Sequence, residues 1–331
     1  MPMDSPPEIR SVRFPNGNDL AHARTVVAGY LVPTPLIRSD SFWLKLETLQ
    51  PTGSFKVRGA IAALASAPAG TRIITASAGN HALGIAFAAE TLGIDATVVI
   101  AENASPAKRA YLEQRNVTLI RHGQSVVEAE AFAIQMTAES KTPAHYVSPY
   151  NDPLVIAGQS TVLDEIVANL PKQPLRVITA VGGGGLLAGI ALRATELQSE
   201  GWDIEVVGVE SSESLAVSAS VAASHTVDVP IGETIADGIS GNIEPGSITV
   251  EMIRQYSPRL IHVSEAGLHD AIRWLIQRHG VIAEGAGATA VAAIRTDSLL
   301  SSDRDTVVIV SGKNIANQVL IDILIAASQT S

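Results

Sequence analysis

The sequence predicts an α/β protein of mainly parallel, open twisted sheets with helices on both faces. Three observations carry that prediction. Short aliphatic runs alternate with Ala-rich helical stretches, and glycine- or serine-bearing turns separate them. Hydrophobic content is 46% while aromatic content is only 4%, so aliphatic side chains and alanine fill the core. Strand–turn–helix units of this length fold as right-handed βαβ crossovers, whose sheets are buried on both faces.

Along the chain, Trp43–Leu46 reads as a strand, Pro51–Gly53 as a turn and Ser54 as an N-cap, so Lys56 falls in the first turn of a helix. Arg72–Ala76 is a buried-strand pattern, Ser77–Asn80 a turn and His81–Leu92 a helix closed by Gly93. Asp95–Ile100 is the next strand, and Ser105-Pro106 then supplies an N-cap with proline at the first helical position. Asn116–Ile120 is a further strand, followed by a helix to about Ser140. The grammar resumes with strand Arg176–Val181, turn Gly182–Gly185 and helix Leu186–Leu197, then strands Ile204–Glu210, Leu260–Val263 and Thr306–Val310. The four-strand set around residues 72–148 is self-contained. It is expected to form a smaller domain nested in a larger one built from residues 1–71 and 149–331.

The totals bound the function. A chain of 331 residues holds one large or two medium domains. A formal net charge of −10 argues against nucleic acid, whose phosphates need a basic face. With no cysteine, a disulfide framework, a thiolate metal site and a thiol nucleophile are all excluded. No secretory signal and no run of ~20 apolar residues is present, so a cytoplasmic location without membrane partners is the expectation.

Parallel sheets bind ligands at the carboxyl ends of their strands, which directs attention to the turns. Gly182-Gly-Gly-Gly185 joins a strand to a helix. Four glycines let a ligand approach the backbone, and the helix start adds unpaired N–H donors with partial positive charge. A phosphate is the natural occupant. Gly183-x-Gly185-x-x-Ala188 also fits a dinucleotide fingerprint with Glu210 as its ribose carboxylate, so this loop alone leaves a nicotinamide oxidoreductase open. The turn Ser77-Ala-Gly-Asn80 with His81 offers hydrogen-bond donors suited to a substrate carboxylate, and His81 itself reads as structural. Lys56 sits where the helix dipole opposes a cation, which eases deprotonation and suits a nucleophilic amine. Ser311 ends a hydrophobic strand and is expected to face the same crevice, and Glu284-Gly-Ala-Gly-Ala288 permits close approach of a helix start.

Together, Ser54-Phe-Lys56, Ser77–Ala82 (SAGNHA), Gly182–Leu186 (GGGGL), Glu284–Ala288 (EGAGA) and Ser311–Asn314 (SGKN) resemble, in order and across nearly the whole chain, the fold type II pyridoxal-phosphate (PLP) enzymes. The similarity is to serine/threonine dehydratases and serine racemase. It implies a tryptophan synthase β-like fold and a covalent bond between PLP and Lys56. It further implies that Gly182, Gly183, Gly184, Gly185 and Leu186 hold the cofactor phosphate. Phe55 would lie against the cofactor ring, Asn80 would bond its 3-hydroxyl, Ser311 would meet its pyridine nitrogen, and Glu284 would lie near the ring. Lys56 and Ser77 are the implied catalytic residues. Ser77, Ala78, Gly79, Asn80 and His81 form the implied cradle for the substrate carboxylate.

The implied reaction is β-elimination from L-threonine, L-serine or a similar β-hydroxy amino acid to a 2-keto acid and ammonia, by a homodimer. Racemases of this kind carry serine where this chain has Ala78, which favours elimination over racemisation. Some relatives bind a divalent cation through a residue matching Glu210 and a downstream carboxylate; Ser214-Leu-Ala216 offers none, so no metal is expected. The chain ends seventeen residues past Asn314, so the C-terminal regulatory domain of biosynthetic threonine dehydratases is not expected.

Overall fold

The computed structural model describes residues 10–296 and 304–328. Ten strands are described: β1 (Leu36–Ser39), β2 (Phe42–Leu46), β3 (Arg72–Ala76), β4 (Ala96–Ile100) and β5 (Thr118–Arg121), then β6 (Ala144–Tyr146), β7 (Leu175–Ala180), β8 (Ile204–Ser211), β9 (Arg259–Val263) and β10 (Asp305–Val310). The first six helices are α1 (Gly17–Tyr30), α2 (Lys56–Ala65), α3 (Asn80–Leu92), α4 (Pro106–Glu113), α5 (Val126–Ala138) and α6 (Pro153–Asn169). The others are α7 (Gly185–Ser199), α8 (Ala216–Ala223), α9 (Ile248–Tyr256), α10 (Glu265–His279), α11 (Gly285–Thr296) and α12 (Asn317–Ser328).

Local chemistry sets the helix limits. Asn16 and Asp19 form a reciprocal capping box at the start of α1, and Asp152 accepts from the N–H groups of Leu154 and Val155 to open α6 behind Pro153. Gly93, at φ +67°, ends α3 in the left-handed region that glycine enters without steric cost.

The strands form two sheets, a six-stranded one in the order β1-β2-β10-β7-β8-β9 and a four-stranded one in the order β5-β4-β3-β6. All pairings are parallel except β1 with β2, an antiparallel edge. The four strands of the smaller sheet come from the segment expected to form the nested domain. Helices cover both faces of the larger sheet. One apolar cluster joins its β7 and β8 to α6, α7 and α9, and another joins its opposite face to α10 and α11. A third cluster packs α1, α2 and α6 against α3 and strand residues of the smaller sheet, so α2 lies at the seam between the sheets.

Each sheet reverses its strand order once, and the reversals position the chemistry. In the large sheet the chain runs outward from β7 through β8 to β9, then returns with β10 on the other side of β7. In the small sheet it runs from β3 through β4 to β5, then returns with β6 beside β3. A crevice opens at the carboxyl ends of strands where the order switches. The four strand ends at these switches lead into Gly182–Gly185, Ser311–Asn314, Ser77–Asn80 and Val147–Tyr150.

Candidate active site

Lys56 opens α2. The expected cap is not formed: Phe55 occupies the N-cap position in helical geometry, and the buried Ser54 hydroxyl caps nothing. Ser54 instead bridges to Gly312, while the Phe55 N–H donates to the Ser311 carbonyl (3.0 Å), so the helix start is stitched to the turn after β10. The Lys56 amine donates to the Pro149 carbonyl (2.8 Å) and lies 5.2 Å from the centre of the Phe55 ring. Burial lowers its pKa to about 8, and the Glu284 carboxylate pulls weakly the other way. The direction matches the sequence expectation, but desolvation rather than the helix dipole is the main cause.

In the turn after β3, the Ser77 hydroxyl accepts from the Gly79 N–H (3.2 Å). The first N–H groups of α3, from Asn80 onward, have no partner within the helix. Ala78 packs its methyl group on an apolar cluster, so it brings only backbone to the turn. The side chain of His81 is structural, as its sequence setting suggests. It is buried, its Nε2 lies 3.2 Å from the Val147 carbonyl, and burial followed by the nearby Lys56 charge lowers its pKa to about 3. A neutral ring turned into the core leaves His81 only its N–H for a ligand.

The glycine loop is shaped by what surrounds it. A Cβ at Gly183 would sit 2.3 Å from the Tyr150 ring, and one at Gly182 2.9 Å from the Ile239 backbone. Gly184 caps α7 at φ +86°, a conformation costly for other residues. The Gly183 carbonyl accepts from the Thr249 hydroxyl (2.8 Å), and the first N–H groups of α7 have no partner within the helix. Leu186 itself is buried in the core, so it too offers backbone alone.

Two further contacts join the sheets. The Asn80 amide donates to Glu284 (2.6 Å), and its oxygen accepts from the Asn314 amide (2.7 Å), which also donates to the Thr52 carbonyl (2.8 Å). The Ser311 hydroxyl has only a long contact to the Ala286 carbonyl (3.5 Å). A closed circuit results. Lys56 reaches Pro149, Tyr150 packs on Gly183 and Gly185, Ile239 packs on Gly182, Ala286 neighbours both Gly238 and Ser311, and Ser311 returns to Phe55.

The donor set around this circuit suits pyridoxal phosphate: a depressed-pKa amine for its aldehyde, a side-chain-free run of N–H groups for its phosphate, and a hydroxyl and an amide for its ring. A family model described as pyridoxal-phosphate dependent enzyme matches residues 27–312. The chain belongs to that family.

Similar members of this pyridoxal-phosphate dependent family include the L-threonine ammonia-lyase of Thermotoga maritima, 36% identical over 84% of this chain and 68% of that protein. A catabolic L-threonine dehydratase of Staphylococcus aureus is 36% identical over 90% of this chain and 88% of its own. Among solved structures, a threonine deaminase from T.th. superposes with TM-score 0.80 at 32% identity, over 91% of this chain and 99% of that one. Maize serine racemase superposes with TM-score 0.84 at 26% identity, over 96% and 99%. The fold is that of the fold type II enzymes.

Glu210, the carboxylate of the dinucleotide alternative, is occupied elsewhere in this enzyme. Buried at the end of β8, it accepts from the N–H groups of Val217 and Ser218 and from the Ser218 hydroxyl, capping α8. Sequence reasoning missed the packing of Tyr150 on the loop and the role of Asn314 in fixing Asn80. Tyr150 was legible only as a loop residue. Its hydroxyl accepts from the Glu244 N–H (2.8 Å), 94 residues away, which no local pattern reveals.

Proposed function

We propose that this enzyme eliminates the β-hydroxyl of a small amino acid such as L-threonine or L-serine, giving a 2-keto acid and ammonia. The carrying observation is the Lys56 amine, held on a carbonyl rather than a carboxylate, with a depressed pKa, beside the glycine loop. The similarity to threonine ammonia-lyases and threonine deaminase supports the substrate class.

Lys56 would hold the cofactor and, freed when the substrate amine takes its place, would accept the substrate Cα proton as a neutral amine. When bound, pyridoxal phosphate supplies the electron sink for charge developing at Cα. Gly182–Gly185 and the N–H of Leu186 would hold its phosphate, Phe55 and Glu284 would lie near its ring, Asn80 would bond its hydroxyl and Ser311 would offer a neutral hydroxyl to its nitrogen. Ser77 and the backbone of Ala78–His81 orient the substrate carboxylate. Racemisation would need a second proton donor across the substrate, and the Ala78 methyl offers none. A cytoplasmic homodimer and the division into domains 1–71 with 149–331 and 72–148 belong to the same proposal.

The test is direct. The purified protein is expected to be yellow and to release keto acid and ammonia from L-threonine or L-serine, and Lys56→Ala to lose both properties. A colourless protein that ignores added cofactor overturns the reading. A yellow protein that interconverts L- and D-serine faster than it makes keto acid turns it to a racemase.

A further inference from the structure

The Lys56 amine and its carbonyl partner ride on different helices. Lys56 opens α2, and Pro149 lies in the segment leading into α6, so their contact depends on how α2 and α6 lie on one another. The two helices touch through backbone. A Cβ at Gly59 would be 2.4 Å from the Gln159 amide nitrogen, and one at Gly158 2.6 Å from both the Arg58 carbonyl and the Gly59 Cα. So close a contact sets the spacing of the two helices.

Arg58 supplies an interlock. Its guanidinium is fully buried and grips Glu47, ahead of α2, through Nε and Nη2 (2.7 and 2.8 Å). The same group reaches α6, donating to Glu165 through Nη1 and Nη2 (2.6 and 2.8 Å) and to the Thr161 hydroxyl (3.2 Å). Lys45 on β2 donates to Glu165 (2.5 Å) and to the Thr34 carbonyl (2.7 Å), and the Thr34 hydroxyl donates to Glu47 (2.6 Å). Two cations and two carboxylates thus balance inside the protein, two residues from the reactive lysine. A planar fork with donors on several edges holds two carboxylates in fixed directions, as a point-charge ammonium does not.

We propose that Arg58 is a positioning residue for Lys56: by binding Glu47 and Glu165 at once, it fixes the α2–α6 register that places the Lys56 amine on the Pro149 carbonyl. The inference rests on the proposed role of Lys56, but its test needs no turnover. Arg58→Lys keeps the charge and loses the fork. The pH dependence of Lys56 acetylation is followed by mass spectrometry on the full-length, cofactor-free chain, with Lys56→Ala as blank and thermal unfolding recorded alongside. The other ionisable groups facing the amine, Glu284 before α11 and His81 on α3, are the same in every variant.

The wild-type midpoint is expected near pH 8. In Arg58→Lys the amine leaves its buried seat and the midpoint rises by about one unit, roughly fivefold less neutral amine at pH 8. A folded Arg58→Lys with an unchanged midpoint and only a lower melting temperature overturns the proposal. If that variant does not fold, Glu165→Gln, which spares the grip on Glu47, is read the same way: an upward shift supports the register and an unchanged midpoint refutes it. A Lys56→Ala protein that stays yellow would refute the role of Lys56 in catalysis, and the midpoints would still decide the register.

Discussion

Two lysines sit beneath this crevice in opposite circumstances. Lys45 is wholly buried in β2, with Glu165 and a carbonyl as partners and Arg58 and Glu47 close by. Lys56 is half-buried and has one carbonyl partner, and the carboxylate that acts on it, Glu284, is already engaged by Asn80. Burial lowers the pKa of both, but for Lys45 two carboxylates, Glu47 and Glu165, oppose that pull, against one for Lys56. The difference teaches how one protein keeps one amine reactive and another inert. Burial withdraws water from each, and pairing decides which of them keeps its proton.

Substitutions at the two positions should therefore separate cleanly. Lys56→Met is expected to lower elimination by at least about a thousandfold, the scale of losing a positioned general base, as measured by keto acid release. Its cofactor-free form should unfold at no lower denaturant concentration than wild type near pH 7, because the buried charge is gone. Lys45→Met should do the reverse. Removing one partner of a buried ion pair costs about 3 kcal/mol, visible in chemical denaturation, while the folded fraction loses far less activity per bound cofactor than Lys56→Met. Similar losses of stability in both variants would break the comparison.

A pH series sharpens it. The folded pKa of Lys56 lies below that of the unfolded chain, so the unfolded state holds more protons between about pH 8 and about 10.5. Stability from this group is therefore present above the unfolded pKa and lost as pH falls through about 8. Cofactor-free wild type should gain on Lys56→Met by on the order of 2 kcal/mol from pH 7.5 to 10.5, after allowance for partial exposure. The smallest effect belongs to Glu284→Gln. Losing the carboxylate that favours the charged amine should lower the Lys56 acetylation midpoint by a fraction of a unit, and a rise would place Glu284 outside its electrostatic reach.

The sequence announced the strands that are buried on both faces. Ile73-Ile74 and Val307–Val310 form the aliphatic cores of two such strands. It did not announce β1, whose Leu-Ile-Arg-Ser is a half-exposed antiparallel edge, or the position of β6, the fourth strand of the smaller sheet and only three residues long. The site turns were legible because glycine and serine follow strands at the points where parallel sheets bind ligands. The ion cluster was not. A charged residue in a sequence reads as solvated, and Arg58 meets Glu165 107 residues away. The one local signal was the setting of Lys45 between Leu44 and Leu46, apolar on both sides. Ser54 misled because a cap depends on the dihedral angles of the helix start, and here the Gly312 bridge takes that residue first.

The pairing of β10 between β2 and β7 also has a consequence for how the protein is made. The four strands of the smaller sheet emerge from the ribosome one after another, within residues 72–146, and can close on each other early. The larger sheet receives its central strand last. Until residues 305–310 have been synthesised, β2 and β7 present two bare edges toward each other, the kind of surface that invites pairing with another chain. Ser311, which anchors the start of α2, arrives one residue later still. A nascent chain cut short before Asp305 lacks the middle of its main sheet, and with it any place for the reactive lysine to be held.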